Sequence, residues 1–229
     1  MASLASRRIL TFALVAALAG TAGPLARAAG VDSLPLEHVQ AGPGPGHPGA
    51  GTERAIPQAP AKLPRVPGDR TKGLDFLFGA LKAAPDEASA KHVEGRIWAL
   101  WLATPSDTAA LLMARAKVAM DRKDMDVALK LLDSVVRLRP DYVEAWNRRA
   151  TIYYLRDDYT HALQDIRQVL AREPRHFGAL AGLGMIMQEV GDDKHALEAF
   201  RRALEINPYL EKVPDMVKSL TEKVEGRDI

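Results

Sequence analysis

The chain has no cysteine in 229 residues. That absence excludes a disulfide framework, a thiol nucleophile and the lipidated cysteine of a bacterial lipoprotein. An excess of one charge is missing too. The formal net charge is +2, and Arg7, Arg8 and Arg27 contribute +3 of it, so a chain without its first 28 residues is near −1. Acids and bases are interspersed elsewhere, with no basic stripe to follow a phosphate backbone, so nucleic acid is not an expected partner. No Gly-rich phosphate loop, metal-spaced cluster or serine elbow is present either. Nothing assembles a nucleophile, a base and an oxyanion site, and the expectation is a protein that is not an enzyme, with no catalytic residues, no metal and no cofactor.

Glycine and proline are concentrated in one place. Residues 29–70 hold Ala-Gly-Pro-Gly-Pro-Gly-His-Pro-Gly from Ala41 to Gly49 and then Pro57, Pro60, Pro64 and Pro67. Such a segment buries too little apolar surface to offset its ordering entropy and is expected to be a disordered linker. Before it, Arg7 and Arg8 precede an apolar run from Ile9 to Gly20, and Ala26, Arg27, Ala28 form a small-x-small cleavage site. Residues 1–28 therefore read as a signal peptide, the product being exported, to a bacterial periplasm, without membrane insertion after cleavage. Ser6, Arg7, Arg8 is also similar to a twin-arginine signal. Leu10 and Thr11 match that pattern poorly, which favours general secretion and leaves the route open.

What the second half does have is a beat of 34 residues. Pro140, Pro174 and Pro208 keep that interval, as do Ala128, Ala162 and Ala196. Units laid out as 109–142, 143–176 and 177–210 align Leu112 with Trp146 and Leu180, and Ala116 with Ala150 and Gly184. Within a unit, Trp146, Ala150 and Tyr153 line one helix face, and Ala162, Leu163, Ile166, Val169 and Leu170 line a second. Neither helix buries its stripe alone, so each unit is an antiparallel pair stacked on the next. Asp124, Asp158 and Asp192 stand where the second helix needs an N-cap, and the prolines stop that helix. Asp141 and Glu144 are spaced as a capping box for 143 onwards. The stripe Leu210, Val213, Val217, Leu220 and Val224 predicts a closing helix within 211–229, with Pro214 in its first turn or at a kink.

The pattern resembles the tetratricopeptide repeat (TPR) family over about 100 residues, departing from it at Arg115 and Arg149, where the family usually has Leu. The resemblance implies an all-α fold, a TPR solenoid of antiparallel helix pairs, and a protein or peptide partner held by the concave face.

Upstream, Leu74, Leu77, Phe78 and Leu81 form one stripe and Val93, Ile97, Leu100 and Trp101 another. Residues 71–106 are expected to be a degenerate first repeat that caps the solenoid. The alternative is a docking surface built on Trp98 and Trp101. His161 and His195 share a repeat position; stacked units hold them about 10 Å apart, too far for one metal without further ligands, so they are expected to be surface or capping histidines.

Family positions that face the groove fall on Met113, Lys117 and Met120 in the first unit. In the second they are Asn147, Arg148, Thr151 and Tyr154, and in the third Ala181, Met185 and Gln188. Asn147 would hold a peptide backbone and Arg148 a carboxylate, with thioethers adapting to apolar side chains. The carboxylate clamp of chaperone-binding relatives is absent, because Met113, Lys117, Arg148, Gly178 and Gly182 stand at its places. The functional expectation is a non-enzymatic scaffold or adaptor of the cell envelope; the alternative is a periplasmic holdase for unfolded polypeptides. Oligomeric state is left open.

Overall fold

The computed structural model describes residues 69–226. The expected signal peptide and all but the last two residues of the expected linker lie outside them. Asp69 and Arg70 are not linker: Asp69 caps the first helix by accepting from the Thr71 amide, and Arg70 opens it.

All regular structure among the described residues is helical. A leading pair, α1 (Arg70–Lys82) and α2 (Glu87–Leu102), is followed by three repeat pairs. These are α3 (Asp107–Asp121) with α4 (Met125–Leu138), α5 (Val143–Leu155) with α6 (Tyr159–Arg172), and α7 (Phe177–Glu189) with α8 (Asp193–Ile206). A closing helix, α9 (Val213–Val224), packs on α8 with Pro214 in its first turn. A proline there forfeits no intrahelical hydrogen bond.

The second helices start alike because the same chemistry recurs. Asp124, Asp158 and Asp192 each accept from the backbone N–H three residues on, at 3.2 Å every time. The residue before each cap is left-handed: Lys123, Asp157 and Gly191, with φ of 62°, 59° and 82°. Only the third unit uses glycine, the residue that takes this conformation without a steric penalty.

Small side chains set the spacing inside each pair. Ala116, Ala150 and Gly184 are buried where the first helix crosses the second, against stripes that include Leu132, Ile166 and Phe200. At Gly184 a methyl group would sit 2.6 Å from the Phe200 ring, so the largest filler faces the smallest neighbour. Arg149, at the place of the family's usual Leu, reaches both neighbouring second helices. It donates to Asp165 twice, at 2.8 and 2.7 Å, and to Asp133 at 2.8 Å, and its guanidinium lies 4.8 Å from the Trp146 ring centroid. An ion network stands there instead of an apolar contact.

The capping box does not form. Tyr142 is the N-cap of α5 and makes no side-chain cap bond, Asp141 pairs with Arg139, and Glu144 turns to other partners. The leading pair also differs from expectation. It does not stack ahead of unit one; it lies as an antiparallel hairpin along the turns that join the units. Leu102 O accepts from the Tyr142 hydroxyl at 2.5 Å, Trp98 and Trp101 pack on His176 and Phe177, and Glu94 accepts from Asn207 at 3.0 Å. Arg175 pairs with Asp75, and the Tyr209 hydroxyl donates to Ala84 O. The physical reason lies in the apolar stripes. Leu74, Leu77, Phe78, Leu81, Ile97 and Trp101 join one core with units two and three and α9, while unit one has a separate core around Leu132, Val135 and Ile152.

Candidate functional site

The first helices α5 and α7 touch, and a narrow seam runs between them. Asn147, Thr151 and Tyr154 form one wall, and Gly178, Gly182 and Met185 form the other. Its volume is about 20 Å³, room for about one water molecule. The structure therefore brings together the groove residues expected of units two and three, but packs them closely. Asn147, Arg148, Tyr154, Ala181 and Met185 are buried, as is Met113 in unit one. Lys117, Met120 and Thr151 are half-buried, and Gln188 is exposed.

The Asn147 and Arg148 clamp must be revised. Arg148 Nε donates to Glu144 Oε1 at 3.0 Å and Asn147 Nδ2 donates to Glu144 Oε2 at 3.1 Å. Glu144 is itself fully buried, so these donors neutralise and solvate a carboxylate that would otherwise be costly to enclose. His176 completes the cluster. Its Nδ1 accepts from the Ala179 amide, which leaves the ring proton on Nε2, 3.5 Å from Glu144 Oε2. The imidazole is stacked beneath Trp101. Sequence spacing suggested a helix cap at Glu144, and the one available signal for the true arrangement was the i, i+3, i+4 run of Glu144, Asn147 and Arg148.

Lys117 pairs with Asp121 at 2.7 Å, and the Thr151 hydroxyl donates to Asn147 O. Trp98 and Trp101 form no docking surface, because Trp101 is buried and Trp98 holds Glu94 through its indole nitrogen at 3.1 Å. His161 and His195 each place Nδ1 2.6 Å from a cap carboxylate, Asp158 and Asp192 respectively, so they act as capping partners. A larger cleft, about 580 Å³, opens where the hairpin meets the unit turns. Arg70, Arg172 and Arg175 line it with Asp141 and Glu173, over Trp101 and Pro174.

A model described as tetratricopeptide repeat protein 21 ARM repeat matches residues 74–164, and one described as tetratricopeptide repeat matches 156–211. A TPR repeat-containing protein of Rhizobium etli is 40% identical over 153 residues, covering 67% of this chain and 75% of that protein. The chain belongs to the TPR family. Among solved structures, the first TPR of Spaghetti (RPAP3), bound to an HSP90 peptide, is similar with a TM-score of 0.51 at 16% identity. The match covers 53% of this chain and 97% of that one. MamA is similar with a TM-score of 0.50 at 19% identity, over 70% and 82% of the respective chains. At these identities the likeness is one of fold, an all-α TPR solenoid.

Proposed function

We propose that this TPR protein is a non-enzymatic interaction scaffold of the cell envelope, exported to a bacterial periplasm, that binds an extended segment of a partner polypeptide along its first-helix face. The observation that carries the reading is the run of accessible polar and thioether groups across three successive first helices: Lys117 and Met120, then Thr151, then Gln188. The seam between α5 and α7 lies beneath that run. A ligand would rest on the seam rather than enter it, because the seam holds about one water molecule. The TPR neighbour solved with a peptide supports a polypeptide ligand by analogy of fold. The signal-like pattern of Arg7 and Arg8, the apolar run from Ile9 to Gly20 and the small-x-small site at Ala26–Ala28 supports an exported protein. No helix among the described residues is long and apolar enough to cross a membrane.

Removing Asn147 and Arg148 would be a poor test, because it strands the buried Glu144. Thr151→Arg and Gln188→Arg add bulk to the face and leave every side-chain partner of Glu144 in place, at the loss of one hydroxyl bond to Asn147 O. Affinity capture of the exported chain from its native envelope, run beside this double variant, should lose one specific protein with the variant while both melt alike. Unchanged recovery would remove the groove from the proposal. Recovery of many unrelated unfolded polypeptides would replace the adaptor with the holdase.

A further inference from the structure

Among the described residues, the hairpin leaves the start of the solenoid uncovered. Leu111 and Val118 occupy the repeat positions of Ala145 and Ile152 in unit two and of Ala179 and Ile186 in unit three. Those four counterparts are at most 1% exposed, each sealed within the solenoid. Leu111 is 54% exposed and Val118 48%. Among the described residues nothing lies over them, since the helices that precede unit one pack on the unit turns instead. Unit one thus carries a stacking surface without a stack.

The geometry points to a second copy of this chain as the occupant, with the two α3 helices packed antiparallel about a two-fold axis. Asp107, Leu111, Ala114, Val118 and Arg122 recur on one face of the helix, at intervals of three or four. About an axis between positions 114 and 115, antiparallel pairing sets Leu111 against Val118 of the partner subunit. The same axis sets Asp107 against Arg122 of the partner subunit. Ala110 and Ala114 are exposed and small, which lets the two helix backbones approach on one side of the axis, while the exposed Arg115 on the other side must turn its guanidinium out to solvent. Each charge already suits its own helix, the acid at the N-terminal end and the base at the C-terminal end, so the pairing adds attraction without opposing the dipole. A contact of this kind is self-complementary and closes at two subunits. The other end of the solenoid does not offer an equivalent surface. The outward side of α9 carries Pro214, Asp215, Lys218, Ser219 and Glu222, all exposed, which disfavours head-to-tail stacking into filaments.

Sedimentation of the exported chain over a range of concentrations reads the association directly. A mass twice that of the chain is expected at micromolar concentration. Leu111→Glu with Val118→Glu should lower the association constant by at least about a hundredfold, because like charges would face each other in a desolvated contact. Asp107→Arg and Arg122→Asp should each weaken it by about tenfold, and the two together should restore it. Melting and far-UV spectra of the isolated subunits report whether any variant has merely unfolded. Ala114→Cys supplies a test that does not depend on disruption. In a chain with no other cysteine it should form a disulfide-linked dimer on mild oxidation, because the axis brings the two copies of position 114 together. A monomer at every concentration up to about 100 µM overturns the proposal. So does a dimer that tolerates both glutamates, or one whose Ala114→Cys form stays unlinked.

Discussion

The Trp101 indole lies flat against the His176 imidazole, with ring centroids 4.0 Å apart and planes 15° from parallel. One residue belongs to the leading hairpin and the other to the turn between units two and three, so this stack fastens the hairpin to the repeats. Trp98 and Phe177 enclose it. The hairpin braces the solenoid from its edge, holding successive unit turns in register.

Trp101→Ala should cost about 3–5 kcal/mol, the range for deleting a fully buried aromatic. The loss should appear first as faster amide exchange across α1 and α2, with the repeats still folded. The Trp101 Nε1 atom is buried without a hydrogen-bond partner. Trp101→Phe therefore removes an unsatisfied donor as well as ring area and should cost much less. Urea unfolding of the two variants checks the order. Equal losses would mean that ring volume is not what holds the hairpin.

Glu144 and Arg148 form an ion pair that is almost wholly enclosed. Glu144→Ala leaves an arginine in a buried site without its counter-charge, and about 3–5 kcal/mol should be lost. Replacing both partners, as in Glu144→Leu with Arg148→Met, should recover most of that, since two apolar groups need no solvation. Asn147 loses its acceptor in both variants, so recovery falls short of complete. Thermal or urea unfolding of the single and double variants closes the cycle.

Gly184→Ala forces a methyl group to within 2.6–2.8 Å of the Phe200 ring. Overpacking should cost about 1–3 kcal/mol. Phe200→Leu alone also destabilises, by leaving a void. Combined with Gly184→Ala it should lose less than the sum of the single changes, because each relieves the other. Strict additivity in urea unfolding would show that α7 moves away from the ring instead.

The repeat architecture was legible because it is written periodically: the prolines, the small crossing residues and the cap aspartates recur at one interval, and each acts locally. Asp124, Asp158 and Asp192 do what their spacing announced. The hairpin's position was not legible. Its stripes announce two amphipathic helices, but the same stripes would serve a stacked repeat or a brace. The choice depends on contacts such as Trp101 with His176, 75 residues apart. Groove chemistry failed for a related reason. Family position names Asn147 and Arg148 as ligand-facing, and the structure has both side chains buried. Family position says nothing of Glu144, one helical turn away, which takes both donors before any ligand can.

Tyr142 ties the far end of the hairpin to the first unit turn through the bond from its hydroxyl to Leu102 O. Burial pushes its hydroxyl up to about 12, since a phenolate would be enclosed beside Glu144 and would lose its power to donate. The sign follows from linkage. A group whose folded value is raised contributes stability in full below its unfolded value, about 10, and that contribution is lost as pH rises from there through about 12. The difference is worth up to about 2–3 kcal/mol. Stability from urea unfolding should therefore fall between pH 10 and 12 in the native protein. Tyr142→Phe should be less stable at pH 8, because Leu102 O loses its donor, and should show a shallower alkaline decline. Parallel pH profiles for the two proteins would mean that Tyr142 ionises without disturbing the hairpin.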